Sequence, residues 1–301
     1  MGISGRHVEA IIDELCDPSI ASYRLAADGQ SSHTFIIDFS SSHPKIVCKI
    51  GGANVYTDAI VEPLVVELVR ASTSIPVPAV IATGWLPGQD HPNHRWAVYE
   101  HLAGHSPTPF TQYSVDMRSQ LLFEIGSYLG QLHDSVQFDR FGAFDCDGDS
   151  LVLGAPRCPE MAPVAHTLLS SFAGGNPTDR IPVLDHGDLF PGNLLVDTDG
   201  KLTGIVDWAN AHVTTPVDAL AKTELRFIDW FRFPLAERDR LRTSLHDGYR
   251  QHRPLPGALD QIGWLYKVLW LTQSGVWAIG HLHTPHGRRQ LRRYLRSCSN
   301  R

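Results

Sequence analysis

The 301-residue chain has no Cys-x-x-C pair, and its five cysteines, Cys16, Cys48, Cys146, Cys158 and Cys298, are odd in number and scattered. That excludes a disulfide framework or a structural zinc site and fits a reducing, cytoplasmic setting. MGISGRHVEA has no hydrophobic stretch, and Arg6 stands where a myristoylation signal needs Ser or Thr, so neither export nor a lipid anchor is expected. No long hydrophobic run follows. The most apolar late stretch, Ile262 to Ile279, carries Lys267, Thr272, Gln273 and Ser274, too polar for the ~20 apolar residues of a membrane-spanning helix. Nor is there an excess of positive charge. A net charge of −6 and a pI near 6.2 exclude a global field for nucleic acid, so an anionic ligand must be held locally. The basic residues gather late: from His252 to Arg301, seven arginines and one lysine face the single acid Asp260. There is no internal repeat and no low-complexity segment.

What is present is ordinary globular composition, with 43% hydrophobic residues and 25 glycines, in a length that suits one large domain or two joined lobes. Val8, Ile11, Ile12 and Leu15 fall at helical spacing. Strand-like runs follow at Ser22–Ala26, Thr34–Phe39 and Lys45–Ile50. Asp58 to Ala71 reads as a helix, broken by the IPVP of Ile75–Pro78, and Ala79–Thr83 and Trp96–His101 read as two more strands. This is a small sheet-rich lobe with one embedded helix. Met117, Leu121, Leu122, Ile125, Leu129 and Leu132 mark a core helix from Ser114 to His133. The rest is expected to be mainly helical, except Val183–Val206, where LLV and GIV flank the hairpin turn Asp197-Thr198-Asp199-Gly200.

The chemistry concentrates in that exception. His186-Gly187-Asp188-Leu189-Phe190-Pro191-Gly192-Asn193 precedes the hairpin and Gly204-Ile205-Val206-Asp207-Trp208 closes it, so Asp188, Asn193 and Asp207 can converge. Two carboxylates and a carboxamide are hard oxygen donors suited to Mg²⁺ with substrate phosphates completing its shell. The spacing is that of the kinase catalytic loop, H-x-D-x-x-x-x-N, in which the Asp accepts a hydroxyl proton and the Asn holds metal. Asp207 would be the second metal carboxylate. Asp, Gly and Asn also populate turns for conformational reasons alone, so the motif gains its weight from what lies upstream.

Upstream, Lys49 ends the apolar strand Ile46-Val47-Cys48-Lys49, as a phosphate-pairing lysine should. The next helix offers Glu62 and Glu67 as partners. Glu62, beside Pro63 in the first turn, is favoured over Glu67, which lies on a different face. Gly29-Gln30-Ser31-Ser32, between the first two strands, suits either a phosphate-covering loop or a plain hairpin turn.

These residues resemble the aminoglycoside phosphotransferase and choline kinase superfamily, whose hallmark is an HGDLHPGNLLVD-like loop followed by a GVIDW-like strand; here the two read HGDLFPGNLLVD and GIVDWANA. The resemblance runs from Gly29 through Lys49, IPVP, the YEHLAG of Tyr99–Gly104 and the GSYLGQLH of Gly126–His133 to Asp218. It implies an α+β, two-lobed protein-kinase-like fold: residues 1–102 as the N-lobe, with a small antiparallel sheet and one helix, and residues 103–301 as a larger, mainly helical C-lobe. It further implies ATP or GTP between the lobes, with the base bonded to backbone near Glu100 and Leu102, and Ser31 and Ser32 over the phosphates. Asp188 is then the catalytic base, Asn193 and Asp207 hold Mg²⁺, and Lys49 clamps phosphate while paired with Glu62. The sequence departs from the family pattern at Phe190, where many members have His, at Asp207-Trp208-Ala209, and at Thr214-Thr215-Pro216.

The implied reaction is transfer of the γ-phosphate of Mg-ATP to a hydroxyl of a small molecule. A metal-dependent phosphohydrolase and a non-catalytic nucleotide or metabolite binder of the same fold are the competing readings. An amino sugar or other amine as acceptor needs carboxylates, and Asp218, Glu224, Asp229, Glu237, Asp239 and Asp247 are available. Trp230, Trp264, Trp270 and Trp277 suit a core better than an aromatic cage. His281, His283 and His286 suit a solvated helix end. Asp145-Cys146-Asp147-Gly148-Asp149 is not a calcium loop, because Pro156 occupies the position that needs Glu. The Arg288, Arg289, Arg292, Arg293, Arg296 stripe suits a charged helix face, not a nucleic-acid contact.

Overall fold

A computed structural model of the chain describes residues 5–15, 20–26, 32–40, 44–55, 57–86, 95–154, 181–280 and 288. The loop at Gly29–Ser31, the histidines 281, 283 and 286, and the arginines 289, 292, 293 and 296 lie outside these. So does the side chain of Trp277.

Helix α1 (Gly5–Glu14) precedes the strands β1 (Ile20–Leu25), β2 (Ser32–Phe39), β3 (Ile46–Gly51), β4 (Val80–Trp85) and β5 (Arg95–Glu100), with α2 (Glu62–Ser72) between β3 and β4. The five strands form one antiparallel sheet in the order β1-β2-β3-β5-β4. Side chains alternate across a strand, and the alternation decides what each face does. Phe35, Ile37, Cys48, Ile50, Trp96 and Val98 turn one way and pack with Val8, Ile11 and Ile12 of α1. Lys49, between Cys48 and Ile50, therefore points to the other face, toward α2. That helix starts at Glu62, not at Asp58 as its sequence implied. Asp58 has a φ of 58° in a turn closed by Asn54 N donating to Ala59 O at 2.7 Å, and Pro63 sits at the helix's first positions.

The chain leaves β5 through residues 101–104 and enters the helical half. Ser114 caps α3 (Val115–Ser135) by accepting from Met117 N. Beyond it come α4 (Pro216–Glu224), a π-helical turn Leu225–Asp229, α5 (Leu235–Tyr249) and α6 (Leu259–Gly280). α3 and α5 pack with their backbones in contact: a Cβ on Gly126 would fall 2.0 Å from Leu245 O, and one on Gly248 would fall 2.0 Å from Phe123 O. Among the described residues no helix is long and apolar enough to cross a membrane.

This half holds more sheet than expected. The hairpin β9 (Leu194–Val196) and β10 (Leu202–Ile205) is where the sequence placed it, its turn held by Asp197 Oδ1, which accepts from Asp199 N and Lys201 N at 2.9 Å each. A second hairpin, β6 (Gly142–Asp147) and β7 (Ser150–Leu153), joins β11 (His212–Thr214) and β8 (Val183–Asp185) in the order β7-β6-β11-β8. The Asp145–Asp149 run is the end of β6 and the two-residue turn, Gly148 and Asp149, of that hairpin. β6 is stabilised by pairing with β11, some seventy residues on, which no local pattern encodes.

Candidate active site

The loop after β8 is shaped by His186. Its Nδ1 accepts from Asp188 N at 3.2 Å, so Nε2 carries the proton and donates to Val206 O at 3.0 Å, tying the loop to the end of β10. Burial lowers its pKa, which keeps the ring neutral, and Trp208 covers it with ring centroids 4.5 Å apart. Gly187 has a φ of +84°, and a Cβ there would lie 1.8 Å from Asn210 O, so only glycine fits. Asn193 ends a short 3₁₀ turn and donates through Nδ2 to Asp188 O at 2.9 Å, while Val206 N donates to Asn193 O at 3.0 Å. Asp188 and Asn193 are thereby fixed against each other. Beneath them Asp185 is buried with Lys222 and, at 3.4 Å, His212.

Asp207 adopts a left-handed conformation (φ 67°) just past β10. Its Oδ1 lies 2.6 Å from Lys49 Nζ, and Lys49 is also 2.6 Å from Glu62 Oε2. Glu62 Oε1 accepts from Trp208 N at 3.2 Å, so one carboxylate on α2 joins strand β3 to the segment after β10. Glu67 faces solvent. Burial alone would lower the Lys49 pKa, but the charges of Asp207 and Glu62 outweigh it and hold the ammonium above its ordinary range. The lysine in turn lowers the Asp207 pKa, whereas desolvation raises that of Glu62. Asn54, fully buried, adds a second strap, donating through Nδ2 to Ala209 O at 2.9 Å and Ala211 O at 3.1 Å.

The other expected residues are placed less uniformly. Ser32 opens β2, its Oγ 3.1 Å from Thr34 Oγ1, while Ser31 lies outside the described residues. Glu100 engages Ala79 through both its amide (2.9 Å) and its carboxylate (3.2 Å). Leu102 rests over Gly204, where a Cβ would fall 2.7 Å from Leu102 Cδ1. Trp230 and Trp270 form an edge-to-face pair at 6.1 Å and are only half-buried, and Trp264 is exposed; these three are thus not the core the sequence implied.

One residue escaped the sequence reading. Arg226, on the π-helical turn, places Nη2 3.0 Å from Asp188 Oδ1. Its guanidinium lies over Phe190 at 4.5 Å and Trp270 at 5.1 Å. The available signal was a lone charge in the apolar run Leu225, Phe227, Ile228.

The sequence matches the profile of the phosphotransferase enzyme family (APH) over residues 23–260. The chain belongs to this family. No curated protein matches it. Among solved structures, a microcompartment-associated aminopropanol kinase is similar at 19% identity and a TM-score of 0.66, covering 97% of this chain and 95% of that one. The GDP complex of aminoglycoside 2'-phosphotransferase-IIIa is similar at 13% identity and a TM-score of 0.65, with 99% of each chain covered. Aminoglycoside phosphotransferase APH(4)-Ia, in a ternary complex with AMP-PNP and hygromycin B, is similar at 16% identity and a TM-score of 0.58, covering 98% of this chain and 99% of that one. The shared fold is the kinase-like α+β architecture of these phosphotransferases, as the sequence implied.

Proposed function

We propose that this phosphotransferase moves the γ-phosphoryl group of Mg²⁺-bound ATP or GTP to a hydroxyl of a small molecule. The observation that carries the reading is the single bonded unit that joins β3 and α2 to the segments after β8 and β10, in which Lys49 lies 2.6 Å from both Glu62 and Asp207 while Asn193 holds the Asp188 loop at 2.9 Å. Residues 1–102 would form the N-lobe and 103–301 the C-lobe, with nucleotide between them and its base near Glu100 and Leu102. Ser32, at the mouth of β2, and Ser31 would face the phosphates.

The donor set fits a magnesium ion. Asn193 uses its amide nitrogen on Asp188, which leaves its carbonyl oxygen to coordinate, and Asp207 Oδ2 makes no hydrogen bond among the described residues. Both are hard oxygens, and no cluster of three His, Cys, Asp or Glu ligands occurs among the described residues, so phosphate and water oxygens would complete the shell. When bound, the ion would neutralise charge on the β- and γ-phosphates. Asp188 orients the acceptor hydroxyl and takes its proton as the oxygen attacks phosphorus and the bond to the leaving diphosphate breaks. Lys49, kept charged by its two carboxylates, stabilises phosphate oxygens.

Transfer from labelled ATP and GTP to an acceptor panel tests this. Asp188→Asn should bind Mg-AMP-PNP normally and lose about 10²- to 10⁴-fold in turnover, the range for a positioned general base. Asp207→Ala should weaken Mg-AMP-PNP binding itself. Full turnover by the Asp188 variant would refute the assignment of the base.

A further inference from the structure

Every carboxylate that the sequence offered to a cationic acceptor is already engaged by the protein. Thr214 Oγ1 donates to Asp218 at 2.8 Å. Lys267 lies 2.5 Å from Glu224 and 2.8 Å from Asp229, and Arg242 reaches the same two at 3.3 and 3.1 Å and Asp239 at 3.6 Å. Arg118 takes Glu237, and Arg250 takes Asp247 at 2.8 Å. The charge that faces Asp188 from the acceptor side, among the described residues, is a cation: Arg226.

Arg226 is held there by design of the backbone. The π-helical turn, closed by Trp230 N donating to Leu225 O at 2.8 Å, inserts an extra residue per turn and turns Arg226 toward the loop while Leu225, Phe227 and Ile228 stay buried. Glu224 before the turn and Asp229 at its end are gripped by the same two cations, Arg242 of α5 and Lys267 of α6. Phe190 and Trp270 lie against the guanidinium, which leaves its N–H edge as the polar surface. Of that edge only Nη2 has a carboxylate partner among the described residues, Asp188 itself.

Resting on the phosphotransferase reading, we infer that Arg226 recognises the acceptor and that the acceptor is a small hydroxylated carboxylic acid. Its carboxylate accepts from the guanidinium edge while its hydroxyl bonds Asp188 a few ångströms away. A planar guanidinium fork matches a carboxylate in just this way. An ammonium group would meet the positive charge of Arg226 beside the base, with Glu224 and Asp229 already paired by Arg242 and Lys267. The acceptor's carboxylate also draws Arg226 from Asp188, so the base is freed as the acceptor binds.

The test measures kcat/KM for straight-chain hydroxy acids of two to six carbons, the corresponding hydroxy amides, amino alcohols of equal length, and the polycations hygromycin B and gentamicin. Binding of Mg-AMP-PNP and of Mg-GMP-PNP is measured in parallel. Acids should exceed their amides by about ten- to a hundredfold, as expected of a charged hydrogen bond. Arg226→Gln should collapse the acid-to-amide ratio toward one, and Arg226→Lys should retain part of it. Preference for amides, amino alcohols or polycations overturns the inference. So does an Arg226→Gln variant that slows acid and amide equally, since Arg226 would then only position Asp188. Mg-AMP-PNP binding with no transfer to any of these compounds overturns the inference and leaves the phosphotransferase reading standing; absence of nucleotide binding brings down that reading as well.

Discussion

At the scale of single residues, the site depends on a few positions with no substitute. Gly187 combines a φ of +84° with a carbonyl 1.8 Å from where a Cβ would stand. Gly187→Ala should displace the His186–Asp188 loop and reduce transfer at least as far as Asp188→Asn does; transfer assays on the two variants check it. Glu62 is equally constrained. Glu62→Gln leaves a neutral partner for Lys49 and should weaken Mg-AMP-PNP binding, read by calorimetry, since the ammonium is then anchored by Asp207 alone. Glu62 could be read from the sequence because Pro63 fixed it in the first helical turn, where it faces back toward the sheet. Arg226 could not. It meets Asp188, 38 positions earlier in the chain, and its neighbours in sequence describe only a buried helix.

At the scale of elements, glycines set the approach of the two longest-paired helices. Gly126 of α3 and Gly248 of α5 each lie against the other helix's backbone, so Gly126→Ala has no flexible side chain to push aside. It should cost about 1–3 kcal/mol or more, seen as a lower midpoint in urea with little change in m-value. The spacing of Leu121, Leu122, Ile125, Leu129 and Leu132 made α3 legible, because one helix face must meet a core. The β6–β7 hairpin was not, since Asp145 and Asp147 make it look like a loop and its partner β11 is remote in sequence. The π-helical turn was hidden for a related reason: the acids that flank it, Glu224 and Asp229, are paired by Arg242 and Lys267, which come from two other helices.

At the scale of the whole molecule, a buried histidine couples stability to pH. His133 is fully buried, its Nδ1 2.9 Å from Tyr249 Oη. Burial pushes its pKa down from 6.5 to about 3, against the opposing pull of Asp185. Between those values the unfolded chain takes a proton that the folded one refuses, so stability is complete above pH 6.5 and falls as the pH drops toward 3. The slope contributed is up to about 1.4 kcal/mol per pH unit. Urea unfolding of the wild type and His133→Gln at several values in this window should show a shallower pH dependence in the variant; equal slopes would refute the assignment.

The contacts that join β3 and α2 to the segment after β10 carry a consequence for how the chain is made. Lys49 meets Asp207 across 158 positions, and Glu62 meets Trp208 across 146. Such long-range closures come late, because the intervening chain must first be ordered. A nascent polypeptide that has emerged only as far as the sheet holds its lysine without the carboxylate from the far side, and a product truncated before Asp207 lacks both links. Both links therefore form only once the chain is complete through Trp208, and they form together.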